Sequence, residues 1–184
     1  MGTRSVTATV TGLLSATNTN LLDASSTGTG SITCGETVSA TFTSGTGASA
    51  VNRALSDRGR AILSAASLTV DLYDLGTLDV GAGAGVDGLG QTFALSGIKA
   101  LFIYNDSASA GNLVVGNDGT TAAWNSFFSA SDTASFTLVP GASVLICDPS
   151  AAGMAVADTS NHLLKFAASG GDVTFHWHML GRTA

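Results

Sequence analysis

The residues best placed to do chemistry lie in Phe175-His176-Trp177-His178-Met179. On a strand, side chains at i and i+2 share a face. His176 and His178 would then present two imidazoles to one metal ion. Cupin-type jelly rolls use such a pair together with a downstream Glu and a later His. Here no acidic residue follows His178. The third histidine, His162, falls in a partner-strand pattern whose facing the sequence leaves open. On the simpler reading, Phe175, Trp177 and Met179 pack inward, while His176 and His178 face outward or line an interface. No metal and no cofactor is therefore assigned, and His176 and His178 stand as the only metal candidates.

Other patterns carry less chemistry. Gly83-Ala84-Gly85-Val86-Asp87-Gly88 matches G-x-G-x-x-G, but that motif needs a helix after it to hold a pyrophosphate, and none follows. Asp71, Asp74, Asp79 and Asp87 bracket this glycine loop without calcium-loop spacing, so they read as turn carboxylates. Glu36 is the only glutamate, no G-x-S-x-G elbow occurs, and neither Cys34 nor Cys147 has a local His. Both cysteines sit among apolar or β-forming neighbours and read as buried free thiols. Asn105-Asp106-Ser107 fits the glycosylation pattern, which is discounted because the first residues do not read as an export signal. An enzyme is not expected. Two groups remain as interface candidates. Trp124, Phe127 and Phe128 would form a sugar or partner platform, or else core. Arg53, Arg58 and Arg60 form the one basic cluster, with Asp57 among them.

These side chains must be positioned by a chain of unusual composition. Of its 184 residues only 11% are charged, against about 25% in ordinary domains. Hydrophobic residues make up 45%, and the net charge is -6. Ser, Thr, Asn and Gly carry most of the polarity. Such a surface is easily covered by other proteins, because few ions must be desolvated. With seven Lys and Arg in all, phosphate neutralisation of nucleic acid is not expected. No apolar run is long enough to span a membrane.

Strand alternation recurs along the chain, as in Ser5–Thr11 and Ser31–Thr43, where Gly35-Glu36 would be a bulge or turn. Residues 1–30 are expected to be a partly extended N-terminal arm or edge strand, with 31–184 as the main domain. The spacing of Arg53, Asp57 and Arg60 predicts a helix over Val51–Ser64, or else an irregular loop; Gly59 weakens the helix. Strands are expected at Leu68–Leu75, at Thr92–Leu95 and Ile98–Tyr104 as two short strands or one bent strand, and at Asn112–Val115 and Ala134–Val139. Pro140-Gly141 would turn the last of these into a hairpin with Ala142–Cys147, and His162–Ala167 would pair with Asp172–Leu180. Many short strands between Gly, Ser, Asn and Asp turns predict an all-β fold, an antiparallel β-sandwich or jelly roll.

From about Leu68 onward the chain resembles small β-rich virion proteins of tailed bacteriophages. The resemblance is carried by Gly88-Leu89-Gly90-Gln91-Thr92, Ile98–Asn105, Leu113-Val114-Val115-Gly116, Trp124 with Phe128, Pro140-Gly141, and Leu163-Leu164-Lys165-Phe166 through Gly181. It implies a non-enzymatic capsid decoration (cement) protein in the virion, assembled in the host cytoplasm. A homo-oligomer, with a trimer favoured, would bind the major capsid protein or another virion protein. A tail tube, tail-tip or fibre component is the alternative placement. A cupin-like metal or carbohydrate-binding protein is the alternative from another class. Neither sequence-specific nucleic-acid binding nor membrane association is implied.

Overall fold

The structure, a computed structural model, describes residues 8–21, 29–45, 47, 50–87, 90–128 and 133–183. The chain is all-β, with no helix among the described residues. The described residues form twelve strands in order: β1 (Ala8–Leu21), β2 (Thr29–Ser44), β3 (Ala50–Val51), β4 (Arg53–Ile62), β5 (Ser67–Asp71), β6 (Leu95–Asn105), β7 (Asn112–Gly116), β8 (Ser135–Leu138), β9 (Ser143–Cys147), β10 (Met154–Ala155), β11 (Leu163–Ser169) and β12 (Val173–Thr183). They form three sheets: β1-β2-β3, β10-β6-β12-β4 with β9 also paired to β6, and β5-β11-β7-β8. Every pairing is antiparallel except the short β2–β3 contact.

One core joins the five-stranded and four-stranded sheets. Along β12 burial alternates: Val173, Phe175, Trp177 and Met179 are buried, and the residues between them are half-buried. Leu164, Phe166 and Ala168 of β11 answer with the same period. The Phe166 ring stacks on Phe175 at 4.8 Å and lies 5.5 Å from Trp177, so the two sheets touch through these rings. β6 is the central strand, as its apolar Leu101-Phe102-Ile103-Tyr104 run predicts; it pairs with β12 on one side and with β9 and β10 on the other.

Several local expectations are corrected. Val51–Ser64 is strand, not helix or loop. The register opposite Phe175 and Trp177 slips between Arg60 and Asp57, and Gly59 has a φ of 71°. This bulge spaces the core-side positions Leu55, Asp57, Arg60 and Ile62 unevenly, which mimics helical spacing. The strand expected over Leu68–Leu75 stops at Asp71, whose Oδ1 accepts the Tyr73 N–H at 2.8 Å and turns the chain. Of the two forms expected for Thr92–Tyr104, the single strand is found: β6 runs from Leu95 to Asn105, with register shifts opposite Leu180–Thr183. Gly35 and Glu36 make neither bulge nor turn: β1 and β2 pair in unbroken register from Ala8↔Phe42 to Leu21↔Thr29. The division expected after residue 30 falls inside β2.

Neither expected hairpin forms. β8 pairs with β7, whereas β9 pairs with β6, so Pro140-Gly141 carries the chain from one sheet to the other. β11 and β12 likewise belong to different sheets, joined across Gly170-Gly171. The step from β6 to β7 is a third such crossing. Two of them, from β6 to β7 and from β8 to β9, meet at Asn105, which is fully buried. Its side-chain amide donates to the carbonyls of Gly111 (3.2 Å) and Leu138 (2.9 Å). Its backbone N–H donates to Ala142, and its carbonyl accepts from Gly141. Burial also removes Asn105 from reach of glycosylation.

Candidate interaction surface

The outward face of the five-stranded sheet is built from rows of residues directly opposite one another. Leu145, Phe102, His178 and Ser56 make one row; Cys147, Ala100, Leu180 and Ala54 make the next. Strand pleating sends these side chains away from the core that Leu101, Ile103, Trp177 and Met179 fill. Leu145 remains 40% exposed. The β1–β2 ribbon comes down on this face. Val10, Gly12 and Ala40 line a cavity of about 240 Å³ with Leu145 and Cys147. On its other side, Val10 shares a second cavity, about 230 Å³, with Phe102, Leu145, His178 and Leu180. Phe42, opposite Ala8, is buried.

His176 and His178 both face outward, as the alternation predicts. The Nδ1 of His176 accepts the Gly59 N–H at 3.3 Å, which places the ring proton on Nε2, 3.4 Å from Asp106 Oδ2. Both ring nitrogens thus have partners, and the bulge in β4 supplies one of them. Asp106 is held below the usual carboxylate range, first by the Ala108 N–H and then by His176. The rings stack on their β6 neighbours, His176 on Tyr104 (5.7 Å) and His178 on Phe102 (5.9 Å). His162 lies apart, its Nε2 3.5 Å from Asp71 Oδ2 at the end of β5. Among the described residues, no three His, Cys, Asp or Glu side chains are grouped to hold a metal.

Burial pushes the His178 imidazole below its ordinary 6.5, with Arg58 and then His176 adding to the effect and Asp57 opposing it. The unfolded chain therefore takes up this proton at a higher pH than the folded one. Stability contributed here is full above about pH 6.5 and falls as pH drops towards the folded value. Replacing His178 with Gln is expected to flatten that part of the melting-temperature profile between about pH 7 and 5. Thermal unfolding across that range checks it; an unchanged slope would acquit His178.

The three arginines are not equivalent. Arg53 donates from Nε to the Thr92 carbonyl (2.7 Å), and Arg60 donates to Asp57 Oδ2 (2.8 Å) and to the Asp79 carbonyl (2.8 Å). Both brace their own fold. Arg58 is exposed, and it alone of the three offers its charge outward. The aromatic group divides similarly. Trp124 is fully buried, its Nε1 donating to Ala155, and Phe128 is buried against Phe136 at 5.7 Å. Neither can act as a surface platform. Phe127, 44% exposed, is the one member open to a partner.

The acidic glycine-loop residues make turns. Asp74 accepts the Gly76 N–H, Asp79 those of Gly81 and Gly83, and Asp87 that of Gln91. Cys147 is a free, half-buried thiol, raised in pKa by burial; the Cys34 side chain lies outside the described residues. Sequence reasoning missed Lys99, a lysine with no exposed surface. Its ammonium caps the carbonyls of Ser150 and Ala151, and burial lowers its pKa. Only its place in an apolar strand hinted at this.

Compared with protein-family models and with curated proteins, the chain matches none.

Proposed function

We propose that the protein is a non-enzymatic virion structural protein, a capsid decoration protein that stabilises a tailed-phage head by protein–protein contacts. The body is then a β-sandwich of jelly-roll type, and the ribbon is its clamp. The observation that carries this is the ribbon itself. The 14 residues of β1 contain no ionic side chain, and the 16 of β2 contain only Glu36. A two-stranded ribbon is marginal alone in water. Fourteen residues at about 3.4 Å each make a strand about 45 Å long. Such an element gains most when a neighbour covers it. The resemblance of the region after Leu68 to phage virion proteins supports the same reading. Arg58 and Phe127 are further contact points for an acidic or apolar capsid surface.

Decoration works by summing modest contacts. A typical specific interface buries roughly 1,600 Å². A protein that bridges neighbouring capsomers makes its second contact at high effective concentration. The test is reconstitution. Purified protein added to heads stripped of it is expected to bind stoichiometrically and raise the temperature at which they release DNA. Recovery of the protein solely in tail fractions, by mass spectrometry and electron microscopy, would place it in the tail tube, tip or fibre instead.

A further inference from the structure

Proteins blunt the free edges of their sheets with short strands, bulges, charges or proline, because an open edge is a template for another strand. Outside the β1–β2 ribbon the edges here follow that rule. β5, β8, β9 and β10 have five, four, five and two residues. β4 is longer, but its Gly59 bulge breaks the register, and it carries Arg53, Asp57, Arg58 and Arg60. Arg60 also ties the Asp79 loop to it. β1 has none of these guards. It is 14 residues long, in unbroken register with β2, and contains no proline and no charge. Among the described residues, no backbone hydrogen bond reaches its other edge.

We propose that the open edge of β1 pairs antiparallel with β1 of a second copy, joining two ribbons into one four-stranded sheet about a two-fold axis. The second copy is the favoured occupant for a reason internal to the molecule. Its β1 is the one long edge among its described strands with no ionic residue; the outer edge of β2, which pairs with β3 only at Thr43 and Ser44, carries Glu36, and the other edges are short or guarded. With no ionic residue on β1, no register of self-pairing sets like charges opposite each other. Glu36 stands opposite Leu14 on β2, one strand away from the seam. Pairing also turns a marginal two-stranded ribbon into a sheet of four strands, and the contact is self-complementary, as a two-fold interface must be. It yields a dimer where the phage resemblance favoured a trimer. A trimer would need β1 to join a different edge of its neighbour. The inference rests on taking the ribbon as the interaction element, but not on which particle the protein joins.

A two-fold axis normal to the sheet sets one residue opposite its own copy, so the longest ladder centres on Leu14 or on Ser15, the middle of the strand. Sedimentation equilibrium of the whole protein is expected to show a reversible dimer. A Ser15→Lys/Thr17→Lys variant is expected to weaken dimerisation at least tenfold, more at low salt than at high. A Ser15→Glu/Thr17→Glu variant should do the same, and an equimolar mixture of the two variants should associate again. Restored association also shows that both variants remain folded. A wild-type monomer at about 100 μM, a trimer, or charged variants that dimerise unchanged would each overturn the pairing. A monomer that still coats phage heads would sink the pairing and spare the virion role. A dimer that no virion component binds would do the reverse.

Discussion

Replacing Asn105 with Asp is expected to lower the melting temperature by about 10 °C at neutral pH, from a loss of about 4 kcal/mol. The amide at this position is the donor that the site requires: it serves the Gly111 and Leu138 carbonyls at once, in a fully buried setting. A carboxylate donates to neither, and it buries a negative charge against two carbonyl oxygens. Protonation restores one donor. The variant should therefore recover part of its loss as pH falls towards about 4, opposite in sign to the His178 effect. Asn105→Leu removes both donors without adding charge and is expected to cost about 2–4 kcal/mol, independent of pH. Thermal and denaturant unfolding of the three proteins separate these cases. Wild-type stability in Asn105→Asp at pH 7 would mean that the sheet crossings do not depend on this amide.

Substituting Asp57 with Ala is expected to cost about 3 kcal/mol. Asp57 is buried on the core side of β4, and its Oδ2 accepts two charge-assisted hydrogen bonds, from Trp177 Nε1 (2.9 Å) and Arg60 Nε (2.8 Å). Ala leaves a buried indole N–H without an acceptor and the Arg60 guanidinium without its counter-charge. It also loosens the pin that holds the bulge, so the Arg60 link to Asp79 should weaken. Asn at position 57 keeps an oxygen acceptor and is expected to lose about half as much. Urea unfolding followed by tryptophan emission measures both, because Trp177 reports directly on the lost bond. Equal stability of Ala and wild type would show that solvent replaces the carboxylate without penalty.

Much of the fold was legible because pleating has a period of two. The alternation Val173-Phe175-Trp177-Met179 announces which face of β12 is buried, and so which way His176 and His178 point. Turn chemistry was legible for the same local reason: Asp71, Asp74, Asp79 and Asp87 hold backbone N–H groups two to four residues ahead. The β4 region misled because a bulge adds one residue to the period, and a period of two interrupted once imitates 3.6. Arg53 and Arg60 read as a partner-facing patch, yet each finds a carbonyl or carboxylate of its own chain. Trp124 and Phe128 read as platform or as core, since nothing local distinguishes a ring that meets Phe136 from one that meets a stranger.

By itself, the sequence determined that this chain is built of strands, where most of them turn, which side chains of each strand point together, and how little charge is available to any surface. Those properties depend on a residue and its near neighbours. Only the tertiary structure decided which strands pair. Pro140-Gly141 and Gly170-Gly171 look like hairpin turns, but each passes the chain between sheets, because the hydrogen-bond partners of a strand are set by distant segments and by the burial of Phe166 against Phe175 and Trp177. The same non-local choice makes Asn105 a hub and leaves β1 with an open edge.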